Sequence, residues 1–132
     1  MVVTPNIEYW DNGNKKYEEW RIKVGLHGTE KLHRLDGPAI TRYYELGNKK
    51  YESWHLNGEL HRLDGPAIIL YHDLNKNNLS KIHREQWFVD NNQLTGNELV
   101  IYKEWLTDNN LYNKLYNTWV DEEKVLWRLR WM

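Results

Sequence analysis

Cysteine is absent from the 132 residues, which excludes disulfides, thiol nucleophiles and thiolate metal sites. Net charge is also nearly missing, since 18 basic against 19 acidic side chains leave -1. A general nucleic-acid binder draws much of its affinity from neutralising phosphates, so no nucleic-acid partner is expected. No apolar run approaches the roughly 18 residues of a membrane span, and Met-Val-Val-Thr-Pro-Asn-Ile-Glu has no signal-peptide pattern. These absences fit an intracellular or virion protein that is not secreted by a signal peptide. Phenylalanine is reduced to one copy beside eight Trp and nine Tyr. That balance favours side chains with an apolar body and a polar tip, which suit half-buried sheet faces and interfaces.

What is present is a repeat. Asn14-Lys-Lys-Tyr-Glu-Glu-Trp20 matches Asn48-Lys-Lys-Tyr-Glu-Ser-Trp54 at six of seven positions, and Leu32 to Ile40 matches Leu60 to Ile68 at all nine. The offsets are 34 and 28, so the first copy carries six extra residues within Arg21 to Lys31, expected to be a loop. Turn signals alternate with strand signals. Asp11-Asn-Gly-Asn14 and Leu56-Asn-Gly58-Glu59 read as tight primed hairpin turns, because Asn-Gly supplies positive φ angles. The runs Ala39 to Tyr44 and Ala67 to His72 start just after a proline, where a strand tolerates one.

Beyond residue 72 the pattern weakens while tryptophans continue at Trp20, Trp54, Trp87 and Trp119, spaced 34, 33 and 32 apart. The Asn- and Lys-rich segment Asp73 to Gln86 reads as an extended loop. Leu99 to Trp105 reads as a strand, Trp105 to Asn110 and Trp119 to Lys124 as hairpins, and Val125 to Met132 as a strand with Val125, Trp127, Leu129 and Trp131 on one face. Leu, Lys and Glu in residues 98–119 are good helix formers, but the Val-Ile-Tyr and Trp content and the repeat register favour strands. The expected fold is all-β, one domain over residues 1–132: an elongated antiparallel β-meander of repeated hairpins. Clear repeats span 7–40 and 41–72, and degenerate ones span 73–105 and 106–132.

The shared motif Leu-His-Arg-Leu-Asp-Gly-Pro-Ala-Ile assigns each residue a structural task. Arg34 and Asp36, like Arg62 and Asp64, are two apart in extended chain and can pair on one side. Asp bonds following amides, Gly37 and Gly65 accept unusual backbone angles, and Pro38 and Pro66 set the start of the next strand. His33 and His61 recur in register with these residues, as structural elements do, whereas a catalytic constellation is normally unique. No three or four convergent zinc ligands, Walker loop or Gly-x-Ser-x-Gly elbow is present, so neither a metal, a cofactor nor an enzymatic activity is expected. The tyrosine or tryptophan, Asn-Gly and Gly-rich step, recurring every 28–34 residues, resembles a MORN-type repeat protein. The His-Arg-x-Asp-Gly-Pro-Ala variant is similar to repeat proteins of large DNA viruses and phages. Trp54, Gly58 and Gly65 stand at the family's tryptophan and glycine places, while Arg62-Leu63-Asp64 lengthens a normally shorter Gly-x-Gly step. The resemblance implies an elongated β-meander, self-association and scaffolding, with lipid binding in some members.

The expected function is a non-catalytic scaffold or adaptor that binds an unknown protein partner, a host factor if the chain is viral. Homodimerisation is expected through the sheet ends, with Trp105, Trp119, Trp127, Leu129 and Trp131 as candidate interface and a domain swap hinged at 73–86. The alternative is a membrane-peripheral or glycan-binding module using the aromatic ladder. Membrane binding is disfavoured because Glu18, Glu19 and Glu52 oppose Lys15-Lys16 and Lys49-Lys50.

Overall fold

The computed structural model describes residues 4–73 and 81–132. It is mostly antiparallel sheet in meander-like order, followed by two helices. Strands β1 (Thr4–Tyr9), β2 (Lys15–Val24), β4 (Ile40–Tyr43), β5 (Lys49–Ser53), β8 (Ile68–Tyr71), β9 (Ile82–Val89) and β10 (Asn92–Leu94) are neighbours in that order. Strand β3 (Thr29–Leu32) pairs with the far half of β2, and β6 (His55–Leu56) pairs with β7 (Glu59–Leu60).

The six-residue insertion is less loop than expected. Pairs Lys23↔Glu30 and Val24↔Thr29 lengthen the β2–β3 hairpin beyond its β6–β7 counterpart, and only its tip is a turn, with Gly25 and Gly28 at positive φ. The alternation Arg21-Ile-Lys-Val24 suits a half-exposed strand better than a coil. Asn57 and Gly58, at φ 49° and 85°, form the primed turn that Asn-Gly favours, and Asp90 and Asn91 repeat it at 47° and 66°. At Asp11 to Asn14 the expected primed turn is absent. Only Gly13 has positive φ, and the β1–β2 register slips between Glu8 and Tyr9, as in a wider turn closed by a bulge.

Three hairpins, β2–β3, β6–β7 and β9–β10, join through the backbone. The Gly58 N–H donates to Leu32 O at 2.8 Å and Arg34 N–H to His55 O at 3.2 Å. One unit further on, Asn91 N–H donates to Leu60 O at 2.8 Å and Arg62 N–H to Phe88 O at 3.1 Å. The expected loop at 73–86 lies partly outside the described residues; its portion from Ile82 onward is strand, paired with β8.

The last third is helical, against expectation. Helix α1 spans Gly96–Asp108, a 3-10 turn spans Tyr116–Thr118 and α2 spans Asp121–Trp131. The strand expected at Leu99 to Trp105, both expected hairpins and the terminal strand are therefore corrected. Leu99, Tyr102 and Leu106 fall at helical spacing on one side of α1, with Tyr102 and Leu106 buried. Asp121, Glu122 and Glu123 begin α2 and Arg128 and Arg130 end it, which complements the helix dipole. Glu123 also accepts the Val120 N–H at 2.9 Å. Trp119 sits beside the 3-10 turn, so the tryptophan spacing continues without its strand. These helices close the molecule's main core: Leu63, Trp87, Tyr102, Leu106, Leu111 and Trp119 are buried together.

Candidate protein-binding surface

Each copy of the nine-residue motif builds the same clasp. In the first, the Arg34 guanidinium lies 4.3 Å from the centroid of the Trp20 ring, donates from Nε to Asp36 at 2.9 Å and from Nη1 to the Pro38 carbonyl at 3.4 Å. In the second, Arg62 lies 3.9 Å from the Trp54 ring centroid, reaches both oxygens of Asp64 at 3.4 and 3.2 Å, and donates to the Pro66 carbonyl at 3.1 Å. The planar guanidinium is suited to this, because its flat face rests on the indole while its edge forks onto a carboxylate. The expected Arg–Asp pairing is thus present in both copies.

The histidines tie successive hairpins together. His33 Nδ1 accepts the Asn57 N–H at 3.0 Å, and His61 Nδ1 accepts the Asp90 N–H at 3.0 Å. An accepting Nδ1 must be unprotonated. Burial lowers the pKa of both rings below the ordinary 6.5; at His61 the nearby Asp90 and Glu59 carboxylates work in the opposite direction without reversing it. Just below that pH the unfolded chain binds more protons than the folded one, so this stabilisation is complete above pH 6.5 and declines as pH falls. The melting temperature is expected to drop from about pH 7.5 to about pH 5.5. A His33→Gln, His61→Gln double variant should show a shallower drop, and an unchanged slope would contradict the assignment.

The glycines of the clasp act through space rather than backbone angle. Neither Gly37 nor Gly65 has positive φ, which corrects the expected unusual angles. A Cβ on Gly65 would fall 2.7 Å from Arg62 Cζ, and one on Gly37 would fall 3.0 Å from Arg34 Cζ. Arg62 is held under the helices and cannot withdraw, whereas Arg34 is partly open to solvent. Gly65→Ala is therefore expected to cost about 2 kcal/mol and Gly65→Val more, against less than about 1 kcal/mol for Gly37→Ala. Urea denaturation of the three variants measures this directly.

The same face of the sheet carries a second duplicated arrangement, since Glu18 and Trp20, like Glu52 and Trp54, are two apart in extended chain. Lys15 pairs with Glu18 at 3.7 Å and Lys49 with Glu52 at 3.2 Å. The Tyr43 hydroxyl donates to Glu18 at 3.5 Å, and the Tyr71 hydroxyl donates to Glu52. Burial raises the pKa of both tyrosines, and the adjacent carboxylates add to it. One lysine of each pair is thus opposed by an acid, while Lys16 lies over the Trp10 ring, Lys50 over Tyr44, and Glu19 pairs with Arg21 instead. His72 and His83 meet edge to face at 4.6 Å. Among the described residues no group of three or more His, Asp or Glu is placed to hold a metal.

Of the candidate interface residues, four tryptophans turn inward and one leucine outward. Trp119 is buried, its Nε1 donating to Lys114 O at 2.7 Å. Trp105, Trp127 and Trp131 are half-buried against the core, and Trp127 Nε1 donates to the Tyr102 hydroxyl at 3.0 Å. Leu129 is 79% exposed. The expected shared face of Val125, Trp127, Leu129 and Trp131 belongs to a strand; in a helix residues two apart diverge by about 200°. The outward stripe of α2 is instead Val125, Leu126, Leu129 and Met132, all exposed, and α1 adds exposed Val100 and Ile101. Sequence reasoning missed Leu126, Val100 and Ile101, which a helical period would have placed.

No family model, curated protein or solved structure matches this chain. Among the described residues, no helix is long and apolar enough to cross a membrane.

Proposed function

We propose that the chain is a non-catalytic, protein-binding scaffold, a MORN-like sheet of repeated hairpins closed by a helical cap, that self-associates through α2. The observation that carries this is the outward stripe of Val125, Leu126, Leu129 and Met132 on a helix whose other side is already packed on the core through Trp127 and Trp131. Contiguous exposed apolar surface of this kind marks association sites. A symmetric pair is the commonest way to cover it. The duplicated clasps support the scaffold part of the reading, together with the histidine and backbone hydrogen bonds that tie each hairpin to the next.

Light scattering after size exclusion should give twice the 16.1 kDa chain mass. Leu126→Asp with Leu129→Asp should give a folded monomer. A monomeric parent at micromolar concentration would refute self-association.

A second reading has one observation in its favour. Arg128 and Arg130 lie on either side of the apolar stripe, an arrangement that also suits the surface of an anionic membrane. Asp121 and Glu122 oppose it at the start of the same helix. Salt-sensitive flotation with anionic vesicles, lost in the Leu126→Asp, Leu129→Asp variant, would promote that reading over the first.

A further inference from the structure

We infer that the first clasp is an open docking site for a short, non-helical segment of a partner protein, and that the second clasp shows the chemistry of its occupant. The two motifs are identical from Leu32 to Ile40 and from Leu60 to Ile68, yet one is covered and the other is not. Leu63 is 5% exposed and Leu35 62%; the Asp64 side chain is 3% exposed and that of Asp36 66%. The cover at the second clasp comes from the chain's own helical region. Tyr102 donates its hydroxyl to Leu63 O at 2.6 Å, and the Asn113 N–H donates to Asp64 O at 2.7 Å. Arg62 Nη2 donates to Asn113 Oδ1 at 3.2 Å, and Leu111 is buried in the same cluster as Leu63.

Among the described residues nothing donates to the Leu35 or Asp36 carbonyl, and Arg34 uses only Nε and Nη1. The first clasp therefore offers two carbonyl acceptors, one guanidinium donor and an exposed leucine; on the second, Asn113 takes the Asp64 carbonyl and the guanidinium, Leu111 packs in the cluster of Leu63, and Tyr102 takes the Leu63 carbonyl. It also opens onto a cleft of about 50 Å³ between Leu35, Trp54 and Leu56 on one side and Leu115 and Tyr116 on the other. The surface is thus continuous with the interface that already holds the cap. Because Leu115 and Tyr116 line that side, the occupant is a turn or extended stretch rather than a second helical pair. Its recognition elements are an aliphatic side chain and, two residues later, an asparagine whose N–H and amide oxygen are both used. A bilayer is a poor occupant, since it would have to bury the Asp36 carboxylate.

This inference rests on the reading of the chain as a protein-binding scaffold, but not on its self-association. The probe is a fluorescent synthetic peptide spanning residues 109–117, titrated by anisotropy into the full chain. Saturable one-to-one binding is expected. Leu35→Glu in the protein, or Asn113→Ala in the peptide, should weaken it by about tenfold or more. Leu35 is exposed, so the variant should keep the parent's circular dichroism and its mass in light scattering, which separates loss of docking from loss of folding or assembly. No saturable binding at millimolar peptide would overturn the inference. Equal affinity for the parent and Leu35→Glu would also overturn it, because the peptide would then be displacing the cap at Leu63.

Discussion

Asp64→Ala is expected to destabilise the protein by about 3–5 kcal/mol, and Asp36→Ala by less than about 1 kcal/mol, although the nine-residue motifs around them are identical. The difference comes from what lies outside the motif. At the second clasp both side chains are buried, and the pair is enclosed by the cap, with Asn113 on Arg62 and Tyr102 on Leu63. Removing the carboxylate leaves a guanidinium without its counter-charge in a place that water reaches poorly, and such orphaned charges are costly. At the first clasp the Asp36 carboxylate is largely in water, which screens the pair and solvates Arg34 when its partner is removed. A matched apolar replacement, Arg62→Met with Asp64→Leu, should recover much of the loss, since the penalty lies in the unpaired charge more than in the pair's absence. Urea denaturation of Asp36→Ala and Asp64→Ala decides the matter. Equal costs would mean that the cap does not enclose the second clasp.

Tyr102→Ala is expected to cost about 4 kcal/mol and to melt the helical region before the sheet. Tyr102 is 1% exposed and joins three elements. Its hydroxyl donates to Leu63 O and accepts from Trp127 Nε1, while its ring meets Trp131 at 4.9 Å and Trp87 at 6.1 Å, both edge to face. Deleting the ring opens a cavity among Trp87, Trp127 and Trp131 that rigid indoles close poorly. Tyr102→Phe keeps the ring but strands a buried carbonyl and an indole N–H, for an expected cost of about 2 kcal/mol. Near-ultraviolet circular dichroism should lose its tryptophan signal in Tyr102→Ala at a lower temperature than the far-ultraviolet sheet signal. Coincident transitions would mean that cap and sheet unfold as one unit.

The sheet was legible in the sequence because its determinants are local. Asn57-Gly58 dictates a primed turn, Arg62 and Asp64 fall on one side of an extended chain, and the runs that follow Pro38 and Pro66 read as strands; each appears in the structure as expected. The helices are not legible in the same way, because two local signals conflict. Leu99-Val-Ile-Tyr102 is β-branched and aromatic, and Trp119 continued the tryptophan spacing, so the repeat register outweighed helix propensity. The contrary signals were present: Leu99, Tyr102 and Leu106 at helical spacing, and Asp121-Glu122-Glu123 ahead of Arg128 and Arg130. A repeated sheet ends somewhere, and its last unit must bury a face that no further repeat covers. At the place of a third His-Arg-x-Asp-Gly-Pro clasp, Thr95-Gly96-Asn97 starts α1, and its side chains cover Trp87 where no arginine does. The purpose of Gly65 was also illegible, since a 2.7 Å approach by a guanidinium is a fact of packing and leaves no mark on backbone propensity.

The absence of native cysteine makes one measurement of the central claim unusually clean, because a thiol introduced at Leu129 is the only one in the molecule. If α2 is the self-association surface, Leu129→Cys should react with a maleimide progressively more slowly as protein concentration is raised, while Leu26→Cys at the tip of the β2–β3 hairpin reacts at a constant rate. A Leu129→Cys rate that does not change with concentration, and matches that of Leu26→Cys throughout, would contradict the account.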